Sequence, residues 1–197
     1  MIFETVDFLS KEVNKFLDLK LGKLPEDRLE FGNVSRALDD SSNSDPVITD
    51  KAILSLVNIE EDRVAKQQEN YFKSDTTTVY RNPPLFLNLY LLFSVNKPDY
   101  QKSLEIIGTI MQFFQYQNVF TPLTHPGLSQ KIQRIIVDLY TLNFEQVNHL
   151  WSTLGGKYLP SVMYKVRQIT IDEDATISES GFIKQIQIND KLKQPLS

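Results

Sequence analysis

Along the first twenty positions, Ile2, Val6, Leu9, Val13, Phe16 and Leu17 recur at helical spacing, with Glu4, Lys11, Glu12, Asn14 and Lys15 on other faces. Residues 2–21 therefore read as an amphipathic helix, and Gly22 follows where a left-handed cap would stand. Residues 29–38 read as a short strand, and the run Asp39-Asp40-Ser41-Ser42-Asn43-Ser44-Asp45-Pro46 as a solvated loop. Residues 51–59 form a strand with Ile53, Val57 and Ile59 on one side and Ala52, Leu54 and Leu56 on the other. Two apolar sides argue for a central position covered on both. The polar stretch 60–81 reads as a long hairpin loop, of the kind that is usually functional or mobile.

Asn82-Pro83-Pro84 opens the strongest strand, in which Leu85, Leu87, Leu89, Leu91, Phe93 and Val95 alternate with Phe86, Tyr90 and Leu92. Pro98 and Asp99 begin a helix to about Gln117. Its apolar set (Tyr100, Leu104, Ile106, Ile107, Ile110, Met111, Phe113, Phe114) is wider than a one-sided helix needs, so it is either deeply buried or turns one flank to a partner. Residues 132–140 read as a strand with Ile135, Val137 and Leu139 inward. Asn143 and Gln146 then make a capping box, with Leu142 stapled on Val147, for a short helix ending at Gly155-Gly156. Residues 161–171 form another strand, and 182–188 a strand-like piece beyond the acidic Asp172-Glu173-Asp174. The order predicts an α/β (α+β) fold, a mixed sheet with helices packed on it.

The 197 residues suffice for one cored domain, or one domain with a tail. A net charge of -4 gives no global attraction to nucleic acid. Tyr71, Phe72 and Tyr80 near Lys66, Lys73 and Arg81 could stack bases, but the carboxylates beside them disfavour it. The chain has no cysteine, which removes disulfides, thiolate metal sites and cysteine nucleophiles and fits a cytoplasmic place of assembly. Glu4 and Asp7 interrupt the N-terminus, against a signal peptide, and the stretch around Leu85–Val95 is too short to cross a bilayer.

Candidate chemistry is sparse. With seven glycines and neither a Walker loop nor a GxGxxG turn, the backbone cradle for phosphates is missing. His125 lies in a Pro-Gly turn and reads as a surface or capping residue, and His149 as a packed core histidine. No second histidine stands near enough to either for a metal motif. Glu60, Glu61 and Asp62 lack the alternating spacing and glycine of a calcium loop, and read as a solvated or interfacial patch. No GxSxG elbow is present. These features predict a protein that is not an enzyme, with no cofactor and no metal.

Several segments in fixed order then carry a resemblance. They are Lys51-Ala-Ile-Leu-Ser-Leu-Val-Asn-Ile-Glu-Glu-Asp-Arg63, Asn82-Pro-Pro-Leu-Phe-Leu-Asn-Leu-Tyr-Leu-Leu-Phe93, Tyr100-Gln-Lys-Ser-Leu104 with Phe113-Phe114-Gln115, Pro126-Gly127-Leu128, Asn148-His-Leu-Trp151 and Lys157-Tyr-Leu-Pro-Ser-Val-Met-Tyr-Lys-Val-Arg167. Together they resemble the tail-terminator or cap proteins of extracellular contractile injection systems, over about residues 1–171. The resemblance implies a mostly antiparallel sheet in a tail-terminator-like domain spanning 1–171, with 172–197 as a C-terminal extension that can serve as an interaction arm. It also implies a structural subunit of a homo-oligomeric, sixfold ring that ends the inner tube and contractile sheath and anchors the last sheath layer. A second cap protein is a further partner it allows; nucleic acid and membrane insertion are not expected. Larger members carry an extra C-terminal region. An adaptor ring between tube and cap, or a small-ligand module, are the alternatives.

Two interfaces are expected. Phe182, Ile186 and Ile188 alternate with polar residues, as in a strand added to a neighbour's sheet edge or completing the chain's own sheet. Arg63, Lys66, Tyr71 and Tyr80 in the 60–81 stretch are expected at a subunit contact.

Overall fold

A computed structural model describes residues 1–37, 50–62, 71–73, 77–81, 85–171 and 176–181. In chain order the elements are α1 (Ile2–Leu21), β1 (Leu29–Phe31), α2 (Val34–Ala37), β2 (Ala52–Glu61), β3 (Tyr71–Lys73), β4 (Thr77–Arg81) and β5 (Leu85–Val95). They continue with α3 (Tyr100–Tyr116), β6 (Val119–Phe120), β7 (Ile135–Leu139), α4 (Phe144–Thr153), β8 (Ser161–Ile171) and β9 (Thr176–Gly181). Two compact units result, one of Met1–Ala65 with Leu85–Ile171, the other of Lys66–Pro84 with Asp172–Ser197.

The first unit is a six-stranded sheet in the order β1-β2-β5-β8-β7-β6, parallel at β1–β2 and antiparallel elsewhere. β5 lies inside the sheet because its alternation serves two cores. Leu87, Leu89, Leu91, Phe93 and Val95 meet α1 and α3, while Tyr90 and Leu92 join Trp151 of α4 on the opposite face. Each large side chain buried this way contributes about 1.5–3 kcal/mol. Aromatic rings tie α3 to the sheet, with Phe114 4.5 Å from Tyr164 and 5.5 Å from Phe93 between centroids. α3 begins at Asp99, whose carboxylate accepts from the N–H groups of Gln101 and Lys102. The Asn143–Gln146 capping box is present at the start of α4, and Leu142 and Val147 pack on the same small core.

Several local expectations are corrected. Residues 29–38 are not one strand, because the chain turns after Phe31. The N–H of Val34 is taken by the Ser55 hydroxyl and that of Ser35 by the Asn33 side chain, which starts the one-turn α2. Nor is 60–81 simply a loop, since β2 runs on to Glu61 and β3 and β4 form a hairpin within it. A register shift between Leu56 and Asn58 marks a bulge in β2. Past Leu54, where β1 ends, the strand loses its cover, so Leu56 and Ile59 are exposed rather than buried, and the bulge turns Ile59 to the face of Leu56 instead of that of Ile53 and Val57. Leu139, at the end of β7, is exposed as well. Asn14 is buried in α1 instead of facing water. His149 is exposed, because α4 packs through Val147, Leu150, Trp151 and Leu154 and points residue 149 outward.

In the second unit, β3, β4 and β9 form an antiparallel sheet in the order β3-β4-β9. Tyr71 stands opposite Tyr80, and Val79 opposite Glu179.

Candidate assembly interface

The larger sheet offers three surfaces for a partner. The first is the half of its second face that α4 leaves open. There the strand register sets Asn58, Tyr90, Lys165 and Asp138 in one row across β2, β5, β8 and β7. Tyr90 donates its hydroxyl to Glu60 (2.5 Å), Lys165 reaches the same carboxylate oxygen (3.2 Å), and its ammonium lies 5.3 Å from the centre of the Tyr90 ring. The hydrogen bond from Tyr90, then Lys165, holds the Glu60 carboxyl below its ordinary range. Burial, reinforced by the bond to Glu60, raises the Tyr90 phenol. One strand further on, Arg167 donates to Asp138 at 2.6 Å. These charges compensate one another pairwise, so the face is polar without a strong field. Asn88, in the row of Glu60, is buried, and its side-chain oxygen has no hydrogen-bond partner among the described residues.

The second surface is an open sheet edge. β1 covers β2 only from Ala52 to Leu54, and past Phe31 no strand covers that side of β2 among the described residues. β1's own outer edge is closed by a side chain from α1. The amide of Asn14 donates to the Leu29 carbonyl (2.8 Å) and accepts from the Leu29 N–H (2.9 Å), as a neighbouring strand would. Where β1 ends, a cavity of about 500 Å³ continues its lane, lined among others by Val6, Phe31, Ser55, Leu56, Val57 and Leu154. Phe3 and Phe31 form an edge-to-face pair on the same unit, 5.8 Å between centroids, and both are exposed.

The third is the flank of α3. Ile106, Ile110, Phe113 and Phe114 are buried, whereas Tyr100, Leu104 and Met111, four and eleven residues from the first, are exposed. The helix is thus both a core helix and an apolar surface stripe. Its Met111 end borders a cavity of about 430 Å³ with Phe114, Leu139 and Tyr164. Burial in the core pushes the Tyr164 phenol up to about 12.

Of the residues nominated from sequence, Tyr71 and Tyr80 are brought together as cross-strand neighbours. Arg63, Lys66, Phe182, Ile186 and Ile188 lie outside the described residues. Sequence reasoning missed Asn14, Leu56, Asn58 and Lys165. Asn14 carried a usable signal, since with Ser10 it forms an i, i+4 polar pair inside an apolar stripe. His125 packs its ring against Phe8 and Phe120 (5.9 and 5.0 Å between centroids), and its Nδ1 lies 2.8 Å from the Thr124 hydroxyl. Among the described residues no three His, Asp or Glu side chains cluster as a metal site, and no helix is long and apolar enough to cross a membrane.

Comparison with solved structures shows that the fold is shared with tail-terminator proteins. The chain is similar to the sheath/tube terminator of the extracellular contractile injection system PVC in its extended state. That match has 13% identity and a TM-score of 0.51, and covers 95% of this chain and 65% of that one. It is equally similar to the tube-terminating cap of the anti-feeding prophage, at 15% identity and a TM-score of 0.51, over 95% of this chain and 62% of the cap. What is shared at such identity is the fold, and the chain spans slightly under two thirds of either protein's length. The chain belongs to the Pvc16 N-terminal domain family, whose model matches residues 7–185. No curated protein matches the sequence.

Proposed function

We propose that this chain is a terminator subunit of a contractile injection system, forming a homo-oligomeric ring, six subunits in the full assembly, on the distal end of the inner tube and sheath. The observation that carries the reading is the family match over residues 7–185, joined to a fold shared with a sheath/tube terminator and a tube-terminating cap. The ring stops polymerisation and anchors the last sheath layer. Its work is binding, not catalysis.

The chemistry required is that of heterologous closure, in which one patch of a subunit meets a different patch of the next. Dissimilar surfaces on one unit, an apolar helix flank, a neutralised polar face and an open edge, suit that demand. Residues 172–197 act as an arm to a neighbour, with Phe182, Ile186 and Ile188 as its apolar contacts, and the hairpin region with Arg63, Lys66, Tyr71 and Tyr80 joins the subunit contact. Assembly takes place in the cytoplasm, before release of the particle.

Light scattering of the purified protein, alone and mixed with tube and sheath proteins of the same particle, tests the ring. The expected result is a mass near six chains that increases further on mixing. A monomer that ignores both partners would refute it.

A further inference from the structure

We propose that the open edge of β2, residues Leu56–Glu61, is the acceptor for the 182–188 segment of a second copy of this chain, which adds there as a strand. The inference deepens the ring reading and rests on it.

The backbone of the acceptor decides the class of occupant. β2 presents six residues of strand with one side uncovered among the described residues, and an uncovered edge is satisfied by an extended segment, not by a helix. The lane is shaped as well as open, because the cavity past Phe31 lies alongside Ser55–Val57 in line with β1. Leu56 and Ile59 stand on one face, since their partners Leu91 and Leu89 both belong to the larger core. With Phe31 they offer an exposed apolar row, so the incoming strand needs apolar residues at alternate positions. Phe182, Ile186 and Ile188 have that parity.

Length fits too: the sixteen residues after Gly181 can reach about 50 Å when extended. The edge also bears devices that discourage random pairing. These are the bulge at Val57 and the Asn58 side chain, which accepts the Ile59 N–H at 2.9 Å. A specific strand has to displace that amide, which restricts pairing to a segment that gains enough apolar contact to offset it.

Because the chain has no cysteine, introduced thiols pair only with each other. Ile59→Cys is mixed with a differently tagged copy carrying Phe182→Cys, Ile186→Cys or Ile188→Cys, and oxidised gently. The expected product is a disulfide between chains for at least one position, absent when the partner carries Lys11→Cys on the exposed side of α1. A disulfide that closes only within one chain carrying both thiols, or none at all, overturns the proposal. Hydrogen exchange gives an independent readout. Amides 56–61 should slow at least tenfold as concentration rises in the full chain, but not in the Ile186→Lys, Ile188→Lys variant; equal exchange in both overturns the proposal. Tube capping separates the two readings. Rings that cap tubes without the cross-link sink the arm and leave the terminator, whereas a cross-linked protein that never caps tubes does the reverse.

Discussion

The Asn14 clamp gives the sharpest stability prediction. Leu29 is fully buried on the sheet's outermost strand, and its N–H and C=O point away from β2, because the adjacent pairing is made by the Arg28 carbonyl with the Ala52 N–H. Both groups are satisfied by one side chain, and the Ser10 hydroxyl only approaches the same carbonyl at 3.5 Å. Asn14→Ala leaves a buried donor and a buried acceptor without partners. At about 1–3 kcal/mol each, the loss should be about 2–6 kcal/mol. For a chain of this size, a loss of 3 kcal/mol lowers Tm by roughly 6–12 °C. Urea unfolding followed by tryptophan fluorescence measures it, with Lys15→Ala, an exposed change on the same helix, as the control near zero. Asn14→Asp sharpens the test. An ionised carboxylate accepts the Leu29 N–H but repels the Leu29 carbonyl, so the deficit should shrink as the pH falls and the acid regains a donor. A loss below 1 kcal/mol for Asn14→Ala, or an Asp variant indifferent to pH, would refute the clamp.

Two further outcomes follow from the fold. Tyr164, held neutral up to about pH 12 in the fold against about 10 unfolded, gives stability that is complete below pH 10. Between pH 10 and 12 the native state holds the extra proton, so stability falls with rising pH, by about 3 kcal/mol; Tyr164→Phe should flatten that part of a denaturation series, and an unchanged slope would contradict the assignment. Asn143→Ala removes one half of the capping box and should cost about 1 kcal/mol in the same unfolding assay, while no change would show the box to be idle.

The sequence was most readable where a single physical rule operates. α1, α3, β5 and β8 stood out because a long apolar period leaves few alternatives, and the α4 cap because its two side chains are local. Reading failed where the outcome depended on what lies next to an element. β2 has the same apolar spacing before and after the bulge, but β1 ends at Phe31 and leaves Leu56 and Ile59 bare. The period of β7 likewise could not show that Leu139 lies at an uncovered end. Asn14 looked like a surface residue until β1 supplied a backbone for it to bind. The Tyr71–Tyr80 pairing was hidden in a polar stretch with no apolar period. The breadth of α3 was legible, with one flank buried and the other exposed.

The central claim is that the chain ends a tube, and the most direct measurement is electron microscopy of tube and sheath proteins assembled with and without it. Tubes should then be of bounded length, each closed at one end by a ring of this protein beneath or beside the last sheath layer. Tubes that lengthen without limit in its presence, with no density added at either end, would contradict it.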